Sequence, residues 1–231
     1  MGTLPMQHSP HAPMSPEGRR IEQNRIHAKI RAVCGVVGLI GCVGLVSGLV
    51  AGMILVDHYD PISDTVSNLA AGHRAWIQDT GLVLFAIGLL ACGIGLFAWD
   101  FDSWARWLAA ALLILLAGDV VVIALHNEYG DGDHEKYVIH MRAVYGFAVM
   151  FAAVPALASA GLRLFGRLWV WSSVATSLVV LMGAPAFFMA PQEWKGAYEL
   201  ALGAVIIAWV GAMSWLLLKT SAVAAGMAAQ S

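Results

Sequence analysis

Six apolar runs, at residues 33–56, 76–98, 106–125, 139–162, 168–190 and 197–218, constrain this chain more than any other feature. Each is close to the roughly 20 residues that a helix needs to cross about 30 Å of hydrocarbon. In lipid every backbone polar group must be satisfied within its own segment, so such runs are helices. A β-barrel would instead show short alternating segments, and none is present. Composition agrees: the 231 residues are 59% hydrophobic and 12% charged, against about 25% charged in an average soluble domain. The chain is therefore expected to be all-α, a polytopic membrane protein built as a six-transmembrane-helix bundle. This excludes most soluble enzymes, secreted disulfide scaffolds and nucleic-acid binders; no nucleic-acid partner is expected.

Residues 1–32 read as a disordered tail followed by a basic juxtamembrane helix. The first part is rich in Pro, Ser, His and Met. The second carries Arg19, Arg20, Arg25, Lys29 and Arg31, with Ile21, Ile26 and Ile30 between them. A signal peptide is the competing reading, but the run at 33–56 is too long for its apolar region. Residues 33–218 are the membrane domain, and 219–231 form a cytoplasmic tail. Nine Lys and Arg fall on the side of the termini and the even-numbered loops, and four on the other side. Both termini are thus expected in the cytoplasm, with the odd loops facing outward from a prokaryotic cytoplasmic membrane. Trp99, Trp104, Trp107, Trp169 and Trp171 would form the inner aromatic belt, and Trp76 and Trp194 the outer one.

Gly35, Gly38, Gly41, Gly44, Gly48 and Gly52 follow one another at spacings of three and four along the first span. They form a strip that another backbone can approach closely, either within the bundle or as a homodimer seam with a second copy or another membrane protein. Pro155 and Pro185 fall inside spans four and five and can kink them. Cys34, Cys42 and Cys92 lie in apolar runs and behave as small hydrophobes. No internal repeat supports an inverted-repeat transporter. Nucleophile-elbow, zincin, P-loop and Rossmann signatures are missing.

Polar chemistry collects on the expected outer side, with His58, His73, His126, His134 and His140 among many acids. The first outer loop, at 57–72, is patterned beyond what a linker needs. Asp60 fits an N-cap, Pro61 the first helical position and Gly72 a stop. Ile62, Val66 and Leu69 recur at helical spacing, predicting a short amphipathic helix over 61–71. It is either an interfacial cap or, through Ser63, Asp64, Ser67 and Asn68, a cradle for a substrate or headgroup. Asp119 is the one charge between Arg106 and His126. A carboxylate at such depth costs about 2.5–3.5 kcal/mol and should face the bundle interior. It is expected either ionised and paired with Arg142, or protonated and hydrogen-bonded. It should border a polar cavity opening to the outer surface, with His126 and His140 near the mouth. Asp119, His126, His140 and Ser67 are the candidate catalytic residues. His126, His134 and His140 could ligate a divalent metal, although their spacing matches no short zinc motif. Gly130 to Asp133 resembles a calcium turn without the EF-hand pattern. A histidine pair could hold haem, but no c-type attachment motif exists. No cofactor is strongly implied.

The stretch Tyr59-Asp60-Pro61-Ile62-Ser63-Asp64-Thr65-Val66-Ser67-Asn68-Leu69-Ala70-Ala71-Gly72 after span one, and the histidine-bearing start of span four, resemble the prokaryotic six-span family catalogued as domain of unknown function 998. The resemblance covers roughly residues 33–218. Such proteins commonly have Ser-Glu-Leu or Ser-Asp-Leu where this chain has Ser67-Asn68-Leu69. They often carry Gly-x-x-Glu-Arg before span six, where this chain reads Gln192-Glu193-Trp194-Lys195-Gly196-Ala197-Tyr198-Glu199. The resemblance implies fold and topology but no activity. Three functions remain open: an outward site that binds or modifies a lipid headgroup or envelope molecule, a non-enzymatic accessory or scaffold subunit, and a proton-coupled transporter relaying through Asp119.

Overall fold

Ser15 and Pro16 start the first helix, because the Ser15 Oγ accepts the Gly18 N–H at 3.1 Å and Pro16 needs no donor partner there. The computed structural model describes residues 15–70, 72–99, 103–126 and 134–228. Helix α1 (Pro16–Leu55) joins the basic segment and the first span without a break. It is followed by α2 (Val66–Leu69), α3 (Ala75–Phe97), α4 (Trp104–Leu125), α5 (His134–Leu162), α6 (Arg167–Met189) and α7 (Lys195–Ala228). Six of these helices are long and apolar enough to cross a membrane, and no strand occurs among the described residues. Helices α5 and α6 continue through Pro155 and Pro185.

Each spanning helix packs on its neighbours in the chain, and α1 closes the ring against α7. The glycine strip of α1 is taken up inside the bundle. Gly35 and Gly38 face Ser214 of α7, Gly41 and Gly48 lie against Gly88 and Gly81 of α3, and Gly52 meets Leu69 of α2. A Cβ on Gly41 would sit 2.7 Å from the Leu84 carbonyl oxygen and 2.9 Å from the Gly88 Cα, so only glycine permits this approach.

The spans carry large apolar side chains on their outer surface. Val43, Ile54, Leu115, Val149, Leu181 and Met182 are all exposed, as suits a lipid solvent. Trp76 and Trp194 are exposed at the α2 end of the bundle, and Trp104, Trp107 and Trp171 at the opposite end. Trp99 departs from the expected belt: it is buried against Phe165, with ring centroids 5.1 Å apart. Trp169 also packs on the core. The end that holds Trp99 is closed by two buried arginines. Arg31 Nη1 donates to the Ala98 carbonyl at 2.8 Å, and Arg106 Nη1 donates to the Leu96 and Phe97 carbonyls at 2.7 and 3.0 Å. The last carbonyls of a helix have no partner within it, and a cation there also opposes the helix dipole.

Candidate functional site

The loop after α1 is held to the start of α7. Glu199 Oε2 accepts the Val66 N–H at 2.8 Å, and the Ala197 N–H donates to the Ile62 carbonyl at 3.0 Å. Gly196 lies beneath the loop, where any Cβ would collide with the Asp64 carbonyl oxygen. The loop is less helical than its pattern suggests. Only Val66–Leu69 forms an α-helix, with Thr65 rather than Asp60 at the N-cap, and residues 61–64 make turns. Asp60 instead accepts the Ile62 N–H and the Ser63 hydroxyl, and donates its own N–H to Asp64 Oδ2. These local Asx bonds compete with the helix and shorten it. Leu69 is buried and the half-buried Val66 lines the cavity, whereas Ile62 is exposed, so the expected apolar stripe meets the bundle over its last two positions and not its first.

Beneath α2 the ring of helices encloses a cavity of about 600 Å³, within the range of small-molecule sites. All seven helices contribute to its wall. Its depth is lined by Leu45, Phe85, Phe147, Val180 and Ile207. The side chains with polar groups are Ser67, Gln78, His140 and Glu199. Ser67 is on α2, and the other three lie in the first two turns of α3, α5 and α7, which all begin at the α2 end. The polar groups are therefore confined to one end of an otherwise apolar chamber. Val46 of α1 and Ala204 and Ala208 of α7 line the cavity and are also exposed on the bundle's flank. These two helices touch tightly further down, where the Cys42 thiol approaches the Ile207 carbonyl at 3.8 Å.

The candidate residues separate in the structure. Ser67 borders the cavity, but Ser63 and Asp64 are spent on the loop's own turns. Asn68 accepts the Thr65 hydroxyl at 2.6 Å, so the four residues do not build one cradle. His140 is buried at the cavity wall, and its Nδ1 lies 2.6 Å from the His126 carbonyl. A carbonyl only accepts, so this nitrogen carries the proton. His126 caps α4 and turns its own Nδ1 to the Val122 carbonyl at 2.9 Å. The two histidines are thus joined through backbone, not ring to ring.

Asp119 does not border the cavity; Val120 and Ile123 take that face of α4. The Asp119 side chain lies by α5, where a Cβ on Gly146 would be 3.8 Å from Oδ1, and its Oδ2 is buried without a hydrogen bond. Arg142 is exposed and makes no ion pair with it. The seven-residue spacing to His126 misleads because His126 has already left helical geometry, with φ −126° and ψ 77°. Among the described residues no three His, Cys, Asp or Glu side chains gather as a metal site. Glu128, Asp131, Asp133 and the His134 side chain lie outside the described residues, and with them the proposed three-histidine set and the calcium-like turn.

Two residues of the site escaped the sequence reading. Gln78 reads as one of three adjacent polar residues, Gln78-Asp79-Thr80, near the start of an apolar run, and nothing in the periodicity distinguishes it. Glu199 had a signal: Gly196-Ala197-Tyr198-Glu199 supplies the Gly-x-x-Glu of the resemblance, with Leu200 in the arginine position. The structure gives the Gly and the Glu of that short pattern a physical task, one as a bare backbone under the loop and the other as its carboxylate anchor. Neither the curated proteins nor the solved structures provide a match to this chain. The family model described as protein of unknown function DUF998 matches residues 39–216, which takes in the loop, the cavity, four whole spans and most of the first and last, and the chain belongs to that family.

Proposed function

We propose that this protein binds an amphiphile drawn from the bilayer, with its apolar body in the chamber and its head under α2. One observation carries this reading: in a cavity of about 600 Å³, the polar residues are confined to one end. Ligand sites combine an apolar wall with a few placed polar groups in this way. The exposure of Val46, Ala204 and Ala208, which also line the cavity, supports access from lipid rather than from water. The excess of Lys and Arg on the far side supports an α2 end that faces outward and termini in the cytoplasm. The head would then lie near the outer leaflet.

Gly203 provides the test. It lines the cavity, and a Cβ there meets nothing within 4 Å. Gly203→Leu should fill the chamber without disturbing the helices, and Ala148→Leu should do so from α5. Native mass spectrometry from gentle detergent should find a co-purified amphiphile on the wild type and little on either variant, at unchanged thermal stability. An empty wild type, or equal occupancy of the folded variants, would overturn the reading.

A further inference from the structure

We infer that the bound head group donates hydrogen bonds, as a hydroxyl or an ammonium does, and is not a phosphate or carboxylate. This rests on the amphiphile reading and specifies its ligand. Gln78 is only 1% exposed, lines the cavity, and its Oε1 is buried with no hydrogen-bond partner. A buried carbonyl oxygen in that state is a standing demand for a donor. His140 is 3% exposed, and its Nδ1 proton is committed to the His126 carbonyl. In the neutral ring the remaining nitrogen, Nε2, is therefore an acceptor. Glu199 adds a carboxylate, which when ionised only accepts. The nearby Tyr59 hydroxyl is already given to the Asp64 carbonyl at 3.1 Å.

Among the described residues, no Lys or Arg lines the cavity. An anionic head could take donors from the Gln78 amide nitrogen and the Ser67 hydroxyl, but it would also face the Glu199 carboxylate and the His140 acceptor in an apolar chamber, with no cation among the described lining residues to offset its desolvation. A hydroxyl or ammonium meets the Gln78 oxygen and the His140 nitrogen with the donors they lack. A hydroxyl can also accept from the Ser67 side chain. The three acceptors come from α3, α5 and α7, so the ring must close before they converge on one head.

The test uses four probes with one saturated C16 chain, ending in a hydroxyl, an amine, a carboxylate or a phosphate monoester. Each is titrated against the full chain in nanodiscs, with binding read by competition against a fluorescent C16 alcohol. The alcohol or the amine should bind at least roughly tenfold more tightly than the acid and the phosphate, the scale of one or two net hydrogen bonds. Gln78→Leu removes the orphaned oxygen, so it should fold at least as well as the wild type and lose most of that preference. Gln78→Met serves the same purpose if the branched side chain packs poorly. If the acid or the phosphate binds as tightly as the alcohol and the amine, the donor-head inference falls and the amphiphile reading stands. Unchanged selectivity in the folded Gln78 variants also overturns the inference. If no probe binds, the amphiphile reading itself fails.

Discussion

The two ends of the bundle solve the same packing problem in opposite ways. At the end away from α2, Leu96, Leu113, Leu162, Met213 and Leu217 fill the space between the helices, and Trp99 closes it. Arg31 and Arg106 there bind the terminal carbonyls of α3. At the α2 end the helices stand far enough apart to leave a chamber of about 600 Å³, and the loop at 59–70 bridges its top through Glu199 and Gly196. Filled volume and satisfied carbonyls make one end a foundation. Voids forfeit contacts on their walls and carry a stability cost. A chamber kept at one end, with an unpaired glutamine oxygen in its wall, is the arrangement that the proposed amphiphile site requires.

The largest effect that would test this division is at Arg106. Arg106→Ala removes charge-assisted bonds to two carbonyls and leaves both without that donor. A loss of roughly 3 kcal/mol is expected on the scale of such bonds, measured by unfolding in mixed micelles. A loss no larger than that of an exposed arginine would mean that the filled end is not held in this way.

A matched pair of substitutions gives the next effect. Gly41→Leu drives a side chain into the Leu84 carbonyl and the Gly88 backbone, and should cost roughly 1–3 kcal/mol. Gly203→Leu points into open space and should cost almost nothing. Equal losses at the two positions in the same unfolding assay would erase the contrast between seam and chamber.

The smallest effect is at Tyr59, in the loop that roofs the chamber. Tyr59→Phe removes its bond to the Asp64 carbonyl and should cost about 1 kcal/mol. Burial first, and then the carboxylates of Glu199, Asp64 and Asp60, push the Tyr59 phenol up to about 12. The folded protein holds this proton after the unfolded chain has released it, near pH 10. The phenol's contribution is therefore complete below about pH 10 and declines as the pH rises towards 12. Thermal melts of wild type and Tyr59→Phe should converge across that window. A constant gap would show that the phenol does not titrate in this environment.

The apolar runs alone determined the number of spanning helices and the all-α class, because a backbone in hydrocarbon has so few ways to satisfy itself. Residues 59–72 carried the family resemblance and marked the loop that roofs the cavity. The glycine spacing in α1 revealed a close-approach strip, a property of the helix surface itself. Which neighbours fill that strip was decided by the tertiary structure, since α3 and α7 reach it only when the ring closes. The same holds for Arg31 and Arg106, which in the sequence are two basic residues near span ends and in the fold are buried caps on another helix. Asp119 drew attention because depth makes any charge costly, yet the rotation of α4 turns Val120 and Ile123 to the chamber instead. Gln78, His140 and Glu199 lie far apart in the chain and share no spacing. They converge because three helices begin at one end of one ring, and such a convergence is a property of packing that no local pattern encodes.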